Sequence, residues 1–265
     1  MRIPFAQIDA FTDTPFAGNP AAVMPLSTWL DDATLQKIAA ENNLSETAFI
    51  VPDTSGEADF ALRWFTSGDE VALCGHATLA SGHFVLSSDT ARQSVRFSTR
   101  QAGVLEVARD GLGYTLALPA WEPSPEPMPG IVAALGLDGA VETLWHDKGY
   151  ALVIVEDEAV VRGLMPDQRA LAAEGRLVAV VAARGTTADI VSRVFTPAYA
   201  IDEDPVTGSA HAVMVPYWAR ILGRDRFSAY QASARGGHVA CRLDGDRVIL
   251  GGACVTVIEG VFLLG

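Results

Sequence analysis

The chain is poor in cysteine and in positive charge. Its 265 residues include only Cys74, Cys241 and Cys254. An odd number at irregular spacing excludes a disulfide framework and suggests a reducing compartment. Cysteine and histidine do not fall at zinc-finger spacing. Lysine and arginine total 19 against 32 aspartates and glutamates, a net charge of −13. A basic stripe for phosphate backbones is therefore missing, and nucleic acid is not expected as a partner. No run approaches the roughly 18 apolar residues of a membrane span, and the first residues lack the apolar stretch of a signal peptide. The expected location is cytoplasmic, with no membrane partner. There is no P-loop, and Gly111-Leu112-Gly113 is too short and misplaced for a dinucleotide fingerprint. What the chain does have is apolar mass: 49% hydrophobic against 19% charged residues, enough to fill one large domain or two of ordinary size.

Residues 3–10, 21–25, 47–52 and 60–65 read as strands. Residues 30–42 read as a helix, with Leu35, Ile38 and Ala39 near one face and Asp31 and Asp32 favouring its first turn. Three short strands at 95–98, 104–108 and 114–118 are close enough to predict antiparallel pairing. Residues 119–129 hold five prolines and read as a connector. Beyond it, a helix begins at 131–135, and strands follow at 151–155, 177–182 and 190–195. A helix over 209–222 comes next, with Pro216 expected to kink it. Two hairpins close the chain, 239–243 with 247–250 and 253–258 with 261–264, turning at Asp244-Gly245-Asp246 and at Glu259-Gly260.

Two glycine turns stand half a chain apart. One is Leu73-Cys74-Gly75-His76-Ala77-Thr78, the other Asp204-Pro205-Val206-Thr207-Gly208-Ser209-Ala210-His211. Each runs into an apolar helical pattern, 77–86 and 210–218, without Asp, Glu, Lys or Arg, which belongs in a core. The spacing suggests two similar α+β halves, each a mostly antiparallel sheet around one apolar helix. Each half would present a helix N-terminus, whose free N–H groups and partial positive charge suit a carboxylate.

The chemistry-bearing candidates are few. Glu46 sits between a helix end and an apolar strand, where partial burial beside Phe49 and Ile50 suits proton transfer; read locally, a capping or solvated carboxylate fits better. His76, at a helix start, fits proton exchange and capping equally well. Asp204 before Pro205 suits either a site or the helix dipole, and Ser209 either a substrate carboxylate or a cap. His146, His211 and His238 lack a partner at informative spacing.

Taken together and in order, Phe16-Ala17-Gly18-Asn19-Pro20-Ala21-Ala22-Val23, Asn43-Leu44-Ser45-Glu46-Thr47-Ala48-Phe49, Arg63-Trp64-Phe65-Thr66, Cys74-Gly75-His76-Ala77-Thr78 and Glu203-Asp204-Pro205-Val206-Thr207-Gly208-Ser209-Ala210 resemble the PhzF family of phenazine-biosynthesis-like isomerases. Gln231-Ala232-Ser233-Ala234-Arg235-Gly236-Gly237 adds to the resemblance, and Ser67 departs from it, standing where proline is expected. The resemblance implies a fold similar to diaminopimelate epimerase: two pseudo-symmetric α+β halves, each a barrel-like sheet around a central helix. The halves would be residues 1–122, with the last strand near 258–265 packing back, and 123–257, with the active site in the cleft between them. It further implies Glu46 as general acid/base, assisted by His76 and Asp204, with Asn19, Gly75, Gly208 and Ser209 binding substrate. Neither a metal nor an organic cofactor is implied, and a homodimer is. The implied reaction is isomerisation of a small cyclic amino or hydroxy acid similar to trans-2,3-dihydro-3-hydroxyanthranilate.

Three alternatives stand beside it. A racemase or epimerase of this fold uses two cysteines; Cys74 stands at the first position, but Pro205 near the second cannot transfer a proton. A Ser209-His76-Asp204 hydrolase lacks the Gly-x-Ser-x-Gly elbow. A non-catalytic small-molecule binder would use the same residues.

Overall fold

The computed structural model describes residues 1–265 and divides into two compact units, Met1–Leu118 with Gly251–Gly265, and Pro119–Leu250. The first unit contains β1 (Arg2–Ala10), β2 (Asn19–Pro25), α1 (Asp32–Asn42), β3 (Glu46–Pro52), β4 (Phe60–Phe65), β5 (Glu70–Val71), α2 (Gly75–Ser88), β6 (Ser94–Thr99), β7 (Val104–Asp110) and β8 (Gly113–Pro119). Pairing is antiparallel for β1–β2, β3–β4, β6–β7 and β7–β8. It is parallel for β2–β3 and β4–β6. Each parallel step needs a crossover, and α1 and α2 supply them. Asp31 caps α1 by accepting from the Thr34 amide, and Asn43 ends it in the left-handed region at φ 49°. The 14-residue α2 carries no Asp, Glu, Lys or Arg and packs against β1, β2, β3, β6 and β7. Gly82 lets it approach the sheet: a Cβ there would lie 2.3 Å from Val107 Cγ1.

The second unit contains β9 (Ser124–Pro125), α3 (Pro129–Ala134), β10 (Glu142–His146), β11 (Tyr150–Ile154), α4 (Glu158–Gly163), α5 (Gln168–Ala173), β12 (Val178–Arg184), β13 (Ile190–Thr196), β14 (Ile201–Asp204), α6 (Gly208–Leu222), β15 (Arg226–Gln231) and β16 (Gly237–Asp244). The chain closes with β17 (Arg247–Gly252) and β18 (Cys254–Leu263). Antiparallel β10–β11, parallel β11–β12, antiparallel β12–β13, parallel β13–β15 and antiparallel β15–β16 repeat the order of the first unit. The duplication reaches individual side chains. In the first unit the guanidinium of Arg63 grips Glu70 through two bonds of 2.7 Å and lies 4.9 Å from the Phe65 ring. In the second, Arg193 grips Glu203 through two bonds of 2.8 Å and lies 5.0 Å from Phe195. Each clamp ties the strand before the glycine turn to the short strand leading into it.

The architecture is the expected mixed α+β one, with one local difference. The hairpin expected at Glu259-Gly260 does not form. Instead β18 runs straight through and pairs along all of β1, from Arg2 with Leu263 to Ala10 with Cys254. A full-length ladder satisfies more backbone groups than a two-stranded turn at the terminus. The chain returns to the first unit at Gly251, and the second unit spans Pro119–Leu250. The helix α6 continues through Pro216. The proline removes the donor that Ala212 O would accept, and the Trp121 amide takes its place at 3.0 Å.

Candidate active site

In the first unit, Asn19 opens β2, Glu46 opens β3 and His76 is the second residue of α2. Gly18 makes the entry into β2 possible: its φ is +63°, and a Cβ would lie 2.2 Å from Ala10 O. The parallel β2–β3 register sets Glu46 opposite Ala21. Glu46 Oε2 then lies 2.9 Å from His76 Nε2. On the other side of the same ring, Nδ1 lies 3.1 Å from the Asn19 side-chain amide and 3.5 Å from Cys74 Sγ. Asn19 is fully buried. Glu46 keeps 14% of its side chain exposed, so its carboxylate is held from inside and reachable from outside.

Burial, then the negative charge of Glu46, pushes the Cys74 thiol up to about 11, so it is protonated near neutral pH. Burial alone would lower the His76 pKa. The acidic groups on either side of the ring, Cys74 and Glu46, outweigh it and raise it well above the ordinary value. With Cys74 a thiol, Glu46 is the partner that sustains this direction near neutral pH. Glu46, Cys74 and His76 offer potential metal-ligand atoms within 4.8 Å of one another. The ring turns Nε2 to Glu46 and Nδ1 to Cys74, however, and a bound ion takes only one of the two nitrogens at ~2.0–2.1 Å. The trio fits a hydrogen-bonded cluster better than a chelate.

In the second unit, Asp204 ends β14 and Gly208 opens α6. The intervening turn is heavily bonded. The Thr207 hydroxyl donates to Asp204 Oδ2 at 2.5 Å. Gln231, at the end of β15 and fully buried, accepts from the Thr207 amide at 2.8 Å and donates to Asp204 O at 2.7 Å. The Ser233 hydroxyl donates to Pro205 O. His211 donates through Nδ1 to Thr207 O at 2.8 Å, and burial lowers its pKa to about 4. In α2 the Thr78 hydroxyl makes the corresponding bond to Cys74 O. Neither helix has a side-chain bond from its N-cap residue, Cys74 or Thr207. The first-turn amides around Gly75 and His76, and around Gly208 and Ser209, are thus not consumed by those caps.

The sequence-derived residues therefore form two constellations, Asn19-Glu46-Gly75-His76 in one unit and Asp204-Gly208-Ser209 in the other. Sequence reasoning missed Gln231, the hydroxyl of Thr207 and the anchoring role of His211. A glutamine in alternating register with the apolar Phe227 and Ala229 of β15 was the available signal for the first.

The phenazine biosynthesis-like family model matches residues 8–260. Over the full length of both chains, the sequence is 46% identical to an uncharacterized isomerase of Pseudomonas aeruginosa. A solved PhzF-family protein of Enterococcus faecalis is 42% identical and superposes with a TM-score of 0.91, covering 100% of each chain. A hydroxyproline epimerase of Agrobacterium vitis, 12% identical, shares the fold at a TM-score of 0.65 over 98% of this chain and 92% of that one. The family model over most of the chain and the full-length relatives show that the chain belongs to the phenazine biosynthesis-like PhzC-PhzF family.

Proposed function

We propose that this protein is an isomerase that moves a proton within a small cyclic amino or hydroxy acid, similar to trans-2,3-dihydro-3-hydroxyanthranilate. Glu46 is the general acid/base: it removes a proton from one ring carbon and returns it to another. The observation that carries this reading is the 2.9 Å contact between a partly exposed Glu46 carboxylate and a buried His76 imidazole. The imidazole fixes one carboxylate oxygen and leaves the group in a defined orientation, which general acid/base transfer requires. Asp204 assists protonation of the same substrate. The N-termini of α2 and α6, through Gly75, Gly208 and Ser209, hold the substrate carboxylate. No step calls for a metal or an organic cofactor.

The test is solvent exchange. Small cyclic amino and hydroxy acids are screened by thermal shift, and those that bind are incubated with enzyme in D2O. Deuterium entering a ring carbon with wild-type protein, but not with Glu46→Gln, supports the reading. Tight binding without exchange would make the protein a binder instead. Loss of exchange in Cys74→Ala with retention in Glu46→Gln would favour a thiol-based epimerase. The buried, protonated Cys74 and the Pro205 position argue against that chemistry.

A further inference from the structure

We propose that Gln231, acting through the Thr207 hydroxyl, is the positioning residue that aims the Asp204 carboxylate. The inference rests on the reading of Asp204 as part of the site. Gln231 lies 27 positions from Asp204 and is fully buried, yet both ends of its carboxamide are used within one turn. Its oxygen accepts from Thr207 N at 2.8 Å. Its nitrogen donates to Asp204 O at 2.7 Å and to Thr207 Oγ1 at 3.2 Å.

The last bond sets a direction. A hydroxyl has one proton, and a donor on its lone-pair side sends that proton elsewhere. Here it points at Asp204 Oδ2, 2.5 Å away. The order Gln231 N–H to Thr207 O–H to Asp204 carboxylate is therefore fixed at its buried end. Thr207 cannot turn out of it, because its amide is held by Gln231 and its carbonyl by His211. A side chain serving only to fill space would not need all three polar atoms of Thr207 engaged. An aimed carboxylate does, since small misplacements of a reacting group are costly.

Four variants test the chain of bonds. Thr207→Ser keeps the hydroxyl; Thr207→Val keeps the shape and removes it. Gln231→Glu keeps an acceptor for Thr207 N, but cannot donate to Asp204 O, and draws the hydroxyl proton toward itself. Asp204→Asn removes the carboxylate and assigns its signal. The first readout is the carboxyl 13C resonance of Asp204 in uniformly labelled protein at fixed pH. It should move in Thr207→Val and Gln231→Glu and stay near wild type in Thr207→Ser. The second is kcat on the substrate found by solvent exchange. It should fall about 10- to 100-fold in Thr207→Val and Gln231→Glu, the range expected for a hydrogen bond to a charged group. Thr207→Ser should retain most of it, and KM should change less than kcat. An unmoved Asp204 resonance in both Thr207→Val and Gln231→Glu, with only a lower melting temperature, would overturn the proposal. Absence of turnover in wild type would sink the proposed function instead, and the resonance would still decide the positioning role.

Discussion

Glu46 and Cys74 face opposite nitrogens of one imidazole, and substitution separates their roles. Glu46→Gln should lower kcat by at least about 100-fold, the usual contribution of a positioned acid/base, while Cys74→Ala keeps most of the turnover. Steady-state kinetics on any substrate identified by exchange gives the answer. His211 makes a different prediction, about stability. Its pKa is about 4 in the folded protein against 6.5 for an ordinary histidine. Above pH 6.5 the ring is neutral in both folded and unfolded chains and costs nothing. As pH falls from 6.5 towards 4, the unfolded chain binds a proton that the folded one refuses, and stability drops by on the order of 3 kcal/mol. His211→Gln should flatten this loss, seen as a smaller shift of the urea midpoint between pH 7 and pH 4.5. At this scale the sequence identified residue types well. Glu46, His76 and Asp204 could be named from motifs, but the bond from His211 to a backbone carbonyl four residues back could not be distinguished from a histidine without a partner.

Among the elements, the repeated clamp does most to hold each glycine turn. Arg63 is almost fully buried, bridges Glu70 and also bonds Asp32 at 2.9 Å, so it ties β4, β5 and α1 together. Arg63→Ala removes a buried side chain that packs on Phe65 and bonds Glu70 and Asp32, and should cost about 1.5–3 kcal/mol. Arg193 is less enclosed, at 14% exposure, so Arg193→Ala should cost less in the second unit. Urea unfolding followed by fluorescence compares the two directly. Gly82→Ala should destabilise by about 1–3 kcal/mol, because a methyl there meets the Val107 side chain; the thermal midpoint measures it. The duplication was partly legible. Arg63-Trp64-Phe65-Thr66 and Arg193-Val194-Phe195-Thr196 are visibly alike, and their acidic partners precede the two glycines by the same five positions. The pairing of each arginine with its glutamate was not legible, because it depends on two strands lying side by side.

For the molecule as a whole, the expected outcome is proton exchange without added cofactor, measured as deuterium entry in protein pretreated with chelator and desalted; a requirement for added metal would count against the Glu46 mechanism. None of its helices is long and apolar enough to cross a membrane. The sequence by itself determined the family, the alternation of short strands with two apolar helices, and the identity of the candidate acid/base. These follow from motifs and periodicities that extend over a few residues, where backbone geometry and burial act locally. Tertiary structure alone decided that β18 forms one long ladder on β1 instead of a hairpin, that Trp121 supplies the donor Pro216 removes, and that Gln231 reaches back to the Asp204 turn. Each depends on which distant segment arrives beside an unsatisfied backbone or polar group. That is set by register and packing across the fold, and no local pattern encodes it.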